Sequence, residues 1–211
     1  MALDLEEQEQ VDELKAWWKQ HGNKVMIGVT LLVLSIGGWQ GWAAYQSKQT
    51  SEAAALFDGL RKELATNDTQ KIRDIAGQLI DKYPRTIYAT DAAMIAAKVN
   101  FESGDAKSAK AQYQWVIEHA KQSQSKALGK LRLAVVLLDE KNYTDALKQL
   151  EGAHDAAFAP LFNDLKGDVY SLQGKSAEAR TAYQAALDKL PKDSPFRPYV
   201  QLKLDALGEQ G

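Results

Sequence analysis

The sequence predicts an all-α protein in which one membrane-spanning helix precedes a solenoid of helical hairpins closed by a C-terminal capping helix. Three observations predict it. A stretch of 21 residues, Val25–Tyr45, carries no ionisable group. Further on, apolar residues recur at spacings of three and four, as in Leu128, Leu131, Val135 and Leu138, and no sustained alternation marks a strand. Breakers separate these segments at Tyr83-Pro84, Ser103-Gly104-Asp105, Lys141-Asn142, Gln173-Gly174 and Leu190-Pro191. The expected division is an N-terminal segment at 1–24, a transmembrane helix at 25–45 and a helical-repeat domain at 46–211.

Composition narrows the function classes. The 211 residues hold 26 Lys and Arg against 28 Asp and Glu, a net charge of -2, so the basic surplus of a nucleic-acid binder is missing. With no cysteine there is no disulfide, thiolate metal site or cysteine nucleophile. The three histidines, His21, His119 and His154, are too far apart in sequence to form a local metal motif.

Residues 1–24 begin with six acids (Asp4, Glu6, Glu7, Glu9, Asp12, Glu13). A cleaved signal peptide starts with a short basic region, so an uncleaved anchor is the better reading. Val11, Leu14 and Trp18 are spaced as one face of a short amphipathic helix, which suits a membrane surface or a cytoplasmic partner. The apolar run that follows would reach roughly 31 Å as a helix, enough for a bilayer core. Trp39, Trp42 and Tyr45 cluster at its far end as an interfacial belt. Lys15, Lys19 and Lys24 on one side outnumber Lys48 and Arg61 on the other, which places the N-terminus in the cytoplasm and exports the C-terminal domain. Gly37 and Gly41 form a GxxxG pair. It is read either as a packing face for another membrane helix or as the ordinary glycine content of membrane helices.

The exported part repeats. Within Asn163–Pro191, Gly167, Tyr170, Gly174, Ala179, Tyr183, Ala186 and Pro191 stand at offsets 0, 3, 7, 12, 16, 19 and 24. Ala134, Leu137, Ala146, Leu150 and Ala153 keep the same frame, as do Ala97, Asn100, Gly104, Ala109, Tyr113 and Val116. A degenerate unit ends at Ala76, Leu79 and Pro84. Small residues let paired helices approach and aromatics fill the space between repeats, which resembles the tetratricopeptide (TPR) pattern. Trp115 and Phe101 are expected between repeats. The tail after Pro191, with an amphipathic run at Tyr199–Leu207, is expected to cap the last apolar face.

The whole layout is similar to that of the YfgM family. The likeness is carried by Gln10-Val11-Asp12-Glu13-Leu14-Lys15, the paired Trp17-Trp18, Gly22-Asn23-Lys24 before the anchor, and Gly38-Trp39 and Gly41-Trp42 within it. The resemblance implies an ancillary subunit of the SecYEG translocon in the bacterial inner membrane. It also implies a periplasmic TPR-like domain that links translocated chains to periplasmic chaperones of the PpiD type. The alternatives are a TPR scaffold of another envelope complex and a regulator acting through its cytoplasmic N-terminal segment.

No HExxH, Walker loop, GxSxG or dinucleotide fingerprint occurs, so no enzyme, cofactor, metal or small-molecule substrate is expected. His119 and His154 have no sequence-local partner set. Asp164 and Asp168 share a helix face, and a solvated repeat surface explains them better than acid–base chemistry. The candidate site is instead the groove of the repeats. Counting from the small residue of each first helix assigns to it Asp91, Met94, Lys98, Phe101 and Glu102, then Leu128, Leu131, Val135, Leu138 and Asp139, then Leu161, Asp164, Asp168, Ser171 and Leu172. Its apolar character suits a hydrophobic peptide or helix, unless a neighbouring helix or the C-terminal segment fills it.

Overall fold

The structure is a computed structural model describing residues 2–152 and 154–208, with residues 2–6 described by backbone alone. Ala153, a position of the repeat frame, lies outside the described residues. The helices are α1 (Ala2–Thr66), α2 (Thr69–Lys82), α3 (Ile87–Glu102), α4 (Ala106–His119), α5 (Ser123–Asp139), α6 (Tyr143–Leu150), α7 (Ala159–Leu172), α8 (Ser176–Lys189) and α9 (Arg197–Asp205). A 3-10 turn at Ala156–Phe158 precedes α7, and no strand occurs among the described residues. The chain divides into two units, Met1–Gln49 and Thr50–Gly211.

In the first unit every residue from Met26 to Tyr45 is exposed. This helix is long and apolar enough to cross a membrane, and none of its apolar window is buried. Its Thr30 and Ser35 hydroxyls are satisfied from within. Thr30 Oγ1 donates to the Met26 carbonyl at 2.8 Å and Ser35 Oγ to that of Leu31 at 2.7 Å. Such internal pairing is what a hydrocarbon environment demands of a hydroxyl.

The second unit is a row of four hairpins and a cap. The first helix of each hairpin ends on a left-handed residue: Asn67, Gly104, Lys141 and Gly174, spaced 37, 37 and 33 residues apart. All four turns share one hydrogen-bond pattern. At the second turn, Gly104 N–H donates to the Phe101 carbonyl (2.9 Å) and Asp105 N–H to that of Asn100 (2.8 Å). The same pairs recur at Lys141/Asn142 and Gly174/Lys175, and more loosely at Asn67/Asp68. This is the Schellman termination, which favours glycine because only its backbone enters the left-handed region without strain.

The next residue starts the returning helix. Asp68, Asp105 and Asn142 each accept from a backbone N–H three residues on, at 3.1, 3.0 and 3.3 Å. Lys175 makes no such cap. Ile72, Ala109, Ala146 and Ala179, each four residues past its N-cap, are fully buried. The degenerate unit of the sequence is therefore a complete hairpin, made by the end of α1 and by α2.

Packing runs along the row. Ala53 and Leu60 of α1 join Ala76 and Leu79 of α2 and Ala89, Ala92 and Ala96 of α3. Trp115 of α4 packs against the α1–α3 cluster and also against Ala93, Val116 and Ala120, so it lies between the first two hairpins. A larger cluster joins α3 to α7 through Tyr113, Leu133, Leu137, Leu150, Phe162 and Val169. One buried polar chain ties the first two hairpins. Asn100, where the repeat frame has an aromatic, accepts from Arg73 Nε at 2.6 Å and donates to Gln112 Oε1 at 2.8 Å. Both ends of the amide are thus satisfied, which removes the cost of burying it.

The tail caps the row as expected. Val200 and Leu204 of α9 pack against Ala179, Tyr183 and Leu187 of α8. Arg197 Nη1 donates to the Leu187 carbonyl at 2.7 Å, near the free end of α8. Arg180 donates to the Gly208 carbonyl.

Candidate functional site

An open cleft of about 430 Å³ lies between α3, α4 and α5. Met94, Ile95 and Phe101 from α3, Tyr113 from α4, and Leu128, Val135 and Val136 from α5 form its apolar lining. Lys98, Glu102 and Arg132 supply its charges. Lys98 Nζ stands 3.7 Å from Glu102 Oε1, a pair exposed enough to exchange for another carboxylate at little cost. Burial pushes the Tyr113 hydroxyl above its ordinary pKa, against the opposing pull of Arg132. The phenol therefore stays a neutral hydrogen-bonding group at physiological pH.

This cleft unites part of the groove predicted from sequence. Met94, Lys98 and Phe101 face Val135 across it. Leu131 does not line it: it is buried in the core between hairpins. Leu138 packs partly buried against the same core. The lining stripe of α5 is Leu128, Arg132 and Val135, one position out of phase with the expected Leu131. Arg132, Ile95, Val136 and Tyr113 were not among the expected residues. The sequence signal for Arg132 is the spacing of four and then three from Leu128 through Arg132 to Val135.

The third repeat behaves differently. Asp164 is only 6% exposed and Asp168 half-buried, so neither is the solvated surface carboxylate expected from the sequence. Lys203 of α9 reaches both. Its ammonium donates to the Asp164 oxygens at 3.0 and 2.9 Å and to Asp168 Oδ2 at 2.8 Å. Tyr183 Oη donates to Asp168 Oδ1 at 2.8 Å. Burial lifts the Asp164 carboxyl above its ordinary value, more than Lys203 lowers it. Burial also pulls the Lys203 ammonium down, but its bonds to Asp168 and Asp164 outweigh that and hold it above its usual range. The capping helix therefore occupies these two groove positions, while Leu172 remains 62% exposed.

Gly37 and Gly41 lie on an open face, with no atom close enough to meet an added Cβ. His119 stacks on Trp115 at 4.7 Å and His154 on Phe162 at 4.1 Å, so both rings are packing elements. Among the described residues no group of three His, Asp or Glu is placed to hold a metal ion.

Hairpins repeating at 37, 37 and 33 residues, with a concave apolar cleft and a capping helix, define a tetratricopeptide-repeat-like protein. The sequence model of the family described as "Tetratricopeptide repeat-like domain" matches residues 15–209. The chain is 38% identical over 211 residues to the "Ancillary SecYEG translocon subunit" of Neisseria gonorrhoeae, covering 98% of this chain and 100% of that protein. It is 26% identical over 186 residues to the Haemophilus influenzae protein of that name, covering 88% and 91%. The corresponding Escherichia coli protein is 24% identical over 207 residues, covering 98% and 99%. The chain belongs to this family of ancillary SecYEG translocon subunits, the YfgM family.

Proposed function

We propose that the chain is a membrane-anchored ancillary subunit of the SecYEG translocon that acts by binding rather than by catalysis. The observation that carries this reading is the 38% identity to the Neisseria gonorrhoeae translocon subunit over the full length of that protein. The apolar helix at 25–45 crosses the inner membrane with the N-terminus in the cytoplasm, in keeping with the lysine bias, and Gly37 and Gly41 offer a close-packing face to another membrane helix. The repeat domain then lies in the periplasm. Tethering there raises its effective concentration for chains leaving the channel.

The cleft of Met94, Lys98, Phe101, Arg132 and Val135 takes apolar segments of such chains or of a PpiD-type chaperone. Burial of an apolar side chain at about 25 cal/mol per Å² gives weak, reversible capture, which suits hand-over. The test is retention of partners by the tagged chain from membranes dissolved in mild detergent. SecYEG subunits and a periplasmic chaperone are the expected partners. Retention of a different envelope complex, with no translocon subunit, would refute the reading.

A further inference from the structure

Just before the apolar run the helix carries an arrangement that neither the repeat fold nor its cleft uses. Trp17 and Trp18 are each about half exposed, and with Leu14, Lys15 and Lys19 they line an open hollow on the helix surface. Both indoles lie over the next turn toward the apolar run. Trp17 stacks on His21 at 5.3 Å, and Trp18 covers Gly22. A Cβ at residue 22 would come within 3.1–3.3 Å of the Trp18 ring, so Gly22 is the seat that lets the ring lie there. Gly22 is three residues from Val25, about 5 Å at the helical rise. That depth falls within the headgroup layer, which occupies about 5–7 Å on each side of the hydrocarbon.

Charge is segregated along the same helix. Residues 15–24 hold Lys15, Lys19 and Lys24 and no acid, whereas residues 4–13 hold six acids and no base. Lys15 pairs with Asp12 at 3.1 Å, which leaves Lys19 and Lys24 as the cations nearest the apolar run. Glu13, the nearest acid, stands about 18 Å beyond Val25, more than a Debye length of about 8 Å outside the headgroup layer. Lys24 and Lys19, about 1.5 and 9 Å from Val25 along the helix, therefore bracket the level of the aromatic rings, and the repelling acids lie farther out.

We propose that Trp17, Trp18, Lys19 and Lys24 form a collar that binds acidic phospholipid headgroups and fixes the depth of the helix at its N-terminal end. The indoles occupy the interfacial layer, as their half-apolar rings favour, and the two ammonium groups pair with lipid phosphate. This rests on the reading of residues 25–45 as a membrane span, and the test separates the two.

The full chain carrying Trp39→Phe, Trp42→Phe and Trp115→Phe is reconstituted into phosphatidylcholine vesicles with or without phosphatidylglycerol, so that emission reports Trp17 and Trp18 alone. Lipids brominated near the headgroup or near the chain end report depth. The expected result is preferential quenching by the shallow bromines and a blue shift when phosphatidylglycerol is present. Lys19→Gln with Lys24→Gln should abolish the dependence on phosphatidylglycerol, and Gly22→Val should weaken the quenching by unseating Trp18. Water-like emission without quenching, in a protein that still floats with the vesicles after an alkaline wash, would overturn the collar and leave the span intact. Quenching that is equal in both lipid mixtures and indifferent to the lysine substitutions would overturn the acidic-lipid assignment. Failure to float at all would instead refute the span, and the collar with it.

Discussion

The Tyr183 ring of α8 lies directly against Gly167 of α7, with no room for a Cβ between them. Both residues belong to the repeat frame read from sequence, and the contact gives that frame its physical meaning: a missing side chain on one helix makes the socket for an aromatic on the next. Gly167→Ala must displace the ring and break the Tyr183–Asp168 hydrogen bond. The expected loss is about 1–3 kcal/mol, the usual cost of overpacking. Gly129→Ala is the internal control. Its Cβ would crowd the Ile117 and Val116 side chains at 3.1 and 3.2 Å and make an ordinary contact with the Tyr113 carbonyl at 3.5 Å, so it should cost less. Urea unfolding followed by circular dichroism checks the order.

The Lys203 cluster makes the cap depend on charge. Lys203→Met leaves Asp164 buried without its cation. Breaking a fully buried pair costs about 3–5 kcal/mol, and because the Lys203 side chain is 36% exposed the expected loss is smaller, about 1–3 kcal/mol. Lys203→Met combined with Asp164→Asn should recover part of it, and a double-mutant cycle on unfolding free energies measures the coupling.

The same cluster sets an alkaline limit. Lys203 and Tyr183 both hold their protons more tightly folded than unfolded, above their ordinary values of 10.5 and 10.0. For such groups the stabilisation is complete below the unfolded value and is lost as pH rises toward the folded one. Wild type should therefore lose stability above about pH 10 more steeply than the Lys203→Met variant, as read by unfolding midpoints across pH.

At the acid end the sign reverses. A backbone bond from Lys71 holds the Asp68 carboxyl below its ordinary 3.8, and bonds from Ser108 do the same for Asp105. Their capping contributions are present above pH 3.8 and fall away as pH drops through the folded values. Asp105→Asn keeps a capping oxygen and removes the titration. Its unfolding midpoint should therefore fall less between neutral and acid pH than that of wild type.

Lys141 is the one hairpin turn in the row where neither Gly nor Asn takes the left-handed position (φ 59). Lys141→Gly should relieve strain and stabilise the protein by up to about 1 kcal/mol, whereas Gly174→Ala (φ 74) should destabilise it by a similar amount. Thermal melts of the two variants should shift in opposite directions.

These elements also show what could be read from sequence. Gly104, Lys141 and Gly174 stood out as breakers because a left-handed turn leaves a compositional trace. The first hairpin was faint because Ile72 stands where later repeats have alanine, and no breaker interrupts α1 before Asn67. On the α3 side of the cleft, Met94, Lys98 and Phe101 keep the spacing of four and three that marks one helix face. On α5 the apolar run is wide enough to hide its phase, so spacing alone does not separate buried Leu131 from exposed Arg132. Asp164 and Asp168 were visible as a pair. Their partner lies 35–39 residues away on a helix whose docking depends on tertiary packing, and spacing carries no sign of it.

The most direct test of the account is site-specific photo-crosslinking in intact membranes during protein export. A photoreactive residue placed at Arg132 or Val135 in the cleft should capture exported polypeptide or translocon-associated protein. The same residue at Lys189, on the exposed surface of α8, should not. Crosslinks of equal yield from both places, or from Lys189 alone, would contradict the cleft as the binding site.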